Sequence, residues 1–185
     1  MADLDVVEAK RAALAEIADD PKLAPILDYW HRAAGEGGLP RPCDIDPITL
    51  PPSILPYLTL LDVVDGGASF RIRLVGTASA SAIGRDYTGQ DLATAMSGDV
   101  LVATLDRYRA AITHQRPILA SAEYAMPDGT SVKNLLMTLP LSSDGVGIDR
   151  LLGVFSPRSE WLAQQSLRGL DYLAYRKPAR SYVIL

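Results

Sequence analysis

The sequence predicts an α+β domain: a five-stranded antiparallel sheet with short helices and one long helix over one face, plus an N-terminal helical extension. Three observations carry this. Phe70-Arg71-Ile72-Arg73-Leu74-Val75 alternates apolar and charged residues, the period of two of a strand with one buried and one wet face. Leu101, Leu105, Tyr108 and Ile112 fall at spacings of four, three and four, which is one face of a helix. The order of elements is two strands, several clipped helices, one long helix and then a meander of three strands.

Ala2 to Ala18 reads as a helix rich in Ala, Glu, Lys and Leu, with a loose apolar stripe at Leu4, Val7, Leu14 and Ile17. Such a helix either lies on its own sheet or pairs with a partner or a second copy. Asp20 and Pro21 restart the chain as N-cap and first helical residue. The second helix runs to about Ala34 and buries Leu23, Ile26, Leu27 and Trp30, and residues 35–40 end it. Residues 41–47 form an extended link. Asp46-Pro47 then opens a short helix or turn with Ile48, Leu50, Ile54 and Leu55 as apolar contacts, and Pro51-Pro52 stops it from lengthening.

Tyr57 to Val64 is the first core strand, and Asp65-Gly66-Gly67 turns it into the Phe70 strand. Gly76-Thr77 stops that strand and caps a short helix whose small residues, Ala78 to Ala82, allow close approach to a sheet. Gly84 ends this helix, and residues 85–89 lead into another short segment. A strand feeding several clipped helices walls a pocket over a sheet. Asp99 to Gln115 is the central helix, capped by Asp99 or Ser97 and ended by Arg116-Pro117. The third strand is Ile118 to Met126, and Pro127-Asp128-Gly129-Thr130 is a hairpin turn. The fourth strand, Val132 to Leu141, puts Leu135, Met137, Leu139 and Leu141 on one face and Asn134, Leu136, Thr138 and Pro140 on the other. A polar turn, Ser142 to Asp149, leads to the fifth strand, Arg150 to Ser156. Glu160 to Leu170 is weakly helical, and the tail to Leu185 either docks on a partner or packs back on its own domain or another subunit. The organisation is therefore an extension over 1–40, a domain over 41–158 and a C-terminal helix and tail over 159–185.

At 185 residues, 48% apolar and 22% charged, the chain has the balance of a soluble globular protein with one core. A net charge of −4 argues against a nucleic-acid-binding surface, which is normally basic. No apolar run approaches the ~18 residues of a membrane span, and the acidic N-terminus lacks the pattern of a signal peptide. One cysteine, Cys43, excludes an internal disulfide framework. The expected location is the cytoplasm.

Several of these stretches together resemble a known family. Cys43-Asp44-Ile45-Asp46-Pro47 with Leu50, Ile54 to Val63, Phe70 to Thr77, and Gly84-Arg85-Asp86-Tyr87-Thr88-Gly89 resemble, in this order, a PAS-type domain family of proteobacteria. The resemblance runs from about Tyr29 to Pro157. It implies a PAS-like sheet with the first and last strands side by side at its centre. It also implies a sensor or interaction module, and it carries no catalytic residue.

The expected site is a pocket between sheet and helices. Leu74, Ser81, Ile83, Tyr87, Leu92 and Met96 line it from the wall, Leu105 and Tyr108 from the central helix, and Met137 and Leu139 from the sheet. Thr88 and Glu123 are further polar candidates for orienting a ligand. The alternative is that the same residues simply fill the core. Neither haem nor flavin is supported. His114, on the helix where some PAS domains carry a haem ligand, falls at its polar end, and Cys43 lies upstream of the first core strand. Asp44 and Asp46 lack a third ligand for a metal, and an N-cap role for Asp46 explains more. There is no nucleophile elbow, metal-spaced His/Cys cluster or phosphate loop. The expected function is a non-enzymatic sensor that binds a small molecule and signals through a separate protein, as a homodimer. A ligand-free docking module is the alternative, and a small-molecule enzyme a third.

Overall fold

β1 (Leu58–Val64) and β5 (Arg150–Pro157) pair antiparallel in the interior of one sheet, Leu60 opposite Leu152. The computed structural model describes residues 2–36, 38–83, 85–125, 131–157 and 182–185. β2 (Ser69–Val75) lies outside β1, while β4 (Ser131–Leu141) and β3 (Ile118–Ala125) continue from β5. The five strands expected from the sequence thus fall in the expected arrangement. A sixth, β6 (Tyr182–Ile184), pairs with β3 and extends the order to β2-β1-β5-β4-β3-β6. This end of the tail packs back on its own domain. The turn expected at 127–130 and the helix expected at 160–170 lie outside the described residues.

The helical extension forms as its sequence dictates. α1 spans Ala2–Ala18 and α2 spans Leu23–Ala34, with Leu23, Ile26, Leu27 and Trp30 buried. Asp20 starts α2: its Oδ1 accepts from the backbone N–H of Lys22 and of Leu23, both at 2.9 Å. Helix α1 divides along its length. Ala13 and Ile17 enter the core, whereas Val6 and Val7 are each 65% exposed. Its own sheet therefore accounts for only part of its apolar surface.

The sheet carries a core on each face. Under α1 and α2 lie Leu135, Met137, Leu139 and Leu141 of β4, with Leu119, Leu152 and Val154. On the opposite face, α3 (Thr77–Ile83), α4 (Leu92–Ala95) and α5 (Gly98–His114) cover a second cluster built on Leu61, Phe70, Ile72, Tyr108, Ala111 and Leu151. Complete burial of a side chain such as Ile26 or Phe70 stabilises by about 1.5–3 kcal/mol.

Two expectations about side-chain direction need correction. The first concerns α5. Its buried residues are Thr104, Arg107, Tyr108, Ala110 and Ala111, with Leu101, Leu105 and Ile112 only half-buried. The apolar stripe is one flank of the helix–sheet contact, and polar Thr104 and Arg107 occupy the middle. The second concerns β2. Leu60 pairs with Leu74 but Leu61 pairs with Ile72, so Arg73 is an extra residue in β2, a bulge. Alternation restarts after the bulge, and Leu74 turns out to solvent.

The turns follow from local chemistry. Asp65, Gly66 and Gly67 take φ of +48°, +66° and +100° between β1 and β2, a run that suits glycine. Asp46 Oδ1 accepts from the Ile48 N–H at 2.9 Å, the turn-opening role its place before Pro47 predicts. Tyr29 was not singled out from the sequence, yet it fastens this link to α2. Its hydroxyl donates to the Asp44 carbonyl at 2.9 Å and accepts from the Asp46 N–H at 3.0 Å.

Candidate functional site

Between the sheet and α3, α4 and α5 lies a cavity of about 90 Å³. The sheet supplies Thr59 and Leu61 from β1, Ile72 and Val75 from β2, Leu136 to Thr138 from β4, and Gly153 to Phe155 from β5. Ser79 of α3, Leu92 and Ala95 of α4, Met96, and Arg107 and Tyr108 of α5 close it from the helical side. The wall is mostly apolar. Its volume lies well below the ~300–1,000 Å³ of drug-sized ligand pockets, so it suits a molecule of a few non-hydrogen atoms.

Of the residues expected in a pocket, Leu92, Met96, Tyr108 and Met137 come together here. The others lie elsewhere. Leu74 is 48% exposed on the far side of the bulge, and Val75 takes its place in the wall. Ser81 is half-buried outside the lining; Ser79, two residues earlier on α3, faces the cavity. Leu105 flanks the helix contact, and Leu139 packs under α1 and α2 because odd-numbered β4 side chains take that face. Met137 shares that core cluster while also reaching the cavity wall. Tyr87 is buried in the second core, with the Arg85 guanidinium 4.3 Å from its ring centroid. The Ile83 side chain lies outside the described residues.

Thr88 and Glu123 are exposed. Thr88 instead serves Asp86, whose Oδ1 accepts from its N–H at 2.8 Å and its hydroxyl at 2.6 Å. Those two hydrogen bonds stabilise the charged form and lower the Asp86 pKa. His114 is exposed at the end of α5, outside the cavity wall. Asp44 is engaged by Arg41, Nη2 to Oδ1 at 2.9 Å, and this partner lowers its pKa. Among the described residues no His/Cys/Asp/Glu group is placed to hold a metal ion, and no helix is long and apolar enough to cross a membrane.

Three polar side chains of the wall are buried. Arg107 is 5% exposed, and its Nε donates to Thr138 Oγ1 at 3.3 Å, bridging α5 to β4. Ser79 is 3% exposed, and its hydroxyl has no hydrogen-bond partner. A buried hydroxyl left unpaired costs about 1–3 kcal/mol, a cost that a bound acceptor or donor would remove. Sequence reasoning missed Arg107 and Ser79. An arginine on a helix reads as its solvent face, and a serine among alanines reads as helix packing.

The PAS domain family model matches residues 18–156, well over half of the chain. The chain is a member of the PAS domain family. PAS domains are typically sensor or signalling modules. Among solved structures, the chain is similar to the light-state LOV domain of the blue-light photoreceptor Aureochrome1, at 20% identity and a TM-score of 0.41, over 62% of this chain and 91% of that one. It is similar to the LOV protein of Rhodobacter sphaeroides at 18% identity and a TM-score of 0.42, over 56% and 59% of the two chains. A third is the LOV domain of the Erythrobacter litoralis EL346 blue-light activated histidine kinase, at 19% identity and 0.41, over 57% and 98%. No curated protein matches the chain.

Proposed function

We propose that this PAS domain is a non-enzymatic sensor or regulatory module. It takes a small molecule into the cavity beneath α3–α5 and passes occupancy to a separate protein, or to a second copy, through its N-terminal helices. The observation that carries this reading is the cavity itself, apolar-walled with a few buried polar groups turned toward it. A ligand shifts such a module only by binding its two packings unequally, so the readout must lie where packing can change. Native mass spectrometry of the purified full chain, followed by denaturing analysis of anything released, tests occupancy. A copurifying small molecule supports the sensor. A chain that arrives empty and binds no member of a fragment library, with cavity methyl resonances as the reporter, overturns it.

The exposed Val6, Val7 and Leu14 on α1 favour a second reading, a docking or dimerisation module that needs no ligand. Deleting residues 2–18 separates the two. Loss of self-association with no change at the cavity supports docking alone. Unchanged association leaves α1 as a cover for its own sheet and removes the docking reading.

A further inference from the structure

The chemistry of the cavity wall narrows what it would take. Among the described residues that line it, Arg107 is the one side chain charged at neutral pH, and the fold already uses it. Its Nε donates to Thr138 Oγ1 at 3.3 Å, its guanidinium stands 5.1 Å from the Tyr108 ring centroid, and it has a further interaction within the protein. Neither Asp nor Glu is present among the same residues. A bound anion would therefore meet a cation that is already engaged, and a bound cation would meet no carboxylate. Either ion would lose its hydration without replacement. What the wall offers a ligand is neutral: the hydroxyls of Thr59, Ser79 and Tyr108, set among Leu61, Ile72, Leu92, Ala95 and Met96. Ser79 is 3% exposed, and its hydroxyl has no hydrogen-bond partner.

We propose that the cavity binds a small neutral molecule with an apolar body and a single oxygen function, a short-chain ketone or alcohol, its oxygen on the Ser79 hydroxyl and its hydrocarbon against Leu92 and Met96. The proposal rests on the sensor reading above and specifies its ligand class. A serine hydroxyl donates to a carbonyl, and it donates to or accepts from an alcohol, so one side chain serves both. A buried water makes about three hydrogen bonds and leaves an apolar wall uncovered. A ketone or alcohol covers that wall, and each methylene buried there strengthens binding about fourfold. The space of about 90 Å³ sets the size limit. It is well below the ~150 Å³ of an apolar cavity that holds benzene.

The full chain is titrated with acetone, butanone, isopropanol, propionate and propylammonium, following methyl resonances of Leu92, Met96 and Met137, and with xenon as an apolar probe of the same space. Butanone and isopropanol are expected to shift the resonances saturably. Butanone should bind about fourfold more tightly than acetone, and both ions at least about tenfold more weakly than butanone. Ser79→Ala removes a hydroxyl that has no partner in the fold, so its unfolding midpoint should not fall. Its affinity for butanone should drop roughly three- to tenfold while its affinity for xenon does not. An equal loss for xenon and butanone, or no loss for either, overturns the Ser79 contact. Propionate or propylammonium binding as tightly as butanone overturns the neutral class yet keeps a ligand in the cavity. No binding of ketone or alcohol, while a fragment library still finds cavity ligands, overturns this proposal and leaves the sensor reading standing. A cavity that takes neither these, nor xenon, nor any fragment removes both.

Discussion

Ser156 Oγ donates to Asp20 Oδ2 at 2.6 Å, a buried bond between residues 136 apart in sequence. The other oxygen of the same carboxylate starts α2. One side chain thus both caps a helix of the N-terminal layer and grips β5, and Phe155, the neighbour of Ser156, lines the cavity. This bond ties β5 directly to the start of α2. Ser156→Ala is expected to lower stability by about 1–2 kcal/mol, and Asp20→Ala by about 2–4 kcal/mol because the cap is lost as well. Urea denaturation with an unchanged m-value checks both. A Ser156→Ala protein that unfolds at the wild-type midpoint would mean that the bond does not couple the two layers.

Two glycines make opposite predictions. A Cβ on Gly76 would collide with the Pro56 carbonyl oxygen and stand 2.6 Å from that of Leu55, both fixed backbone. Gly76→Ala is therefore expected to cost more than about 2 kcal/mol or prevent folding. A Cβ on Gly153, in the cavity wall, would meet Thr59 no closer than 3.5 Å, an ordinary contact. Removing backbone freedom from the unfolded chain should make Gly153→Ala neutral or stabilising by about 0.4–1 kcal/mol. Thermal unfolding of the pair gives the answer, and a destabilised Gly153→Ala would show that β5 is under strain at this point.

The turn between β4 and β5 gives the chain an acid-sensitive element. Asp144 Oδ1 accepts from the N–H groups of Val146 at 2.9 Å and Gly147 at 3.0 Å, and from Ser142 Oγ at 2.9 Å. These bonds favour the carboxylate and lower its pKa from 3.8, the backbone donors first. A lowered folded-state pKa means the stabilisation is complete above the ordinary carboxylate value. It drains away as pH falls through the folded pKa. Asp144→Asn should therefore lose stability at neutral pH and lose less than wild type on acidification toward pH ~3. Equal acid slopes for the two proteins would remove Asp144 from the list of groups that hold this turn.

Much of the fold was legible because its signals are local. Asp20-Pro21 and the apolar set of α2 need no tertiary knowledge, nor do the period-two strands or the glycine turn at Gly66. What failed was direction. A bulge at Arg73 has no signature in an alternating run, so the sequence places Leu74 in the cavity wall, where the structure has Val75. On β4 both faces are covered, one by α1 and α2 and the other by α5, so parity alone could not say which set meets the cavity. Arg107 was hidden for a different reason. Its burial depends on where α5 crosses the sheet, and a helix that contacts the sheet through Thr104 and Arg107 does not advertise that face by hydropathy.

The bulge itself is open to test. If Arg73 is the extra residue, Val75 and not Leu74 contributes to the wall between β2 and α3. Leu74→Ala should then change stability by no more than about 0.5 kcal/mol, as for an exposed site. Val75→Ala should cost about 1 kcal/mol, the low end for a core truncation because Val75 is only half-buried. The functional consequence separates the two further. Val75→Phe intrudes on the cavity, so it should abolish binding of any core ligand, while Leu74→Phe on the outer face should leave affinity unchanged. The reverse ranking would mean that alternation runs unbroken through β2, that Leu74 faces inward, and that the pairing of Leu61 with Ile72 is shifted by one residue.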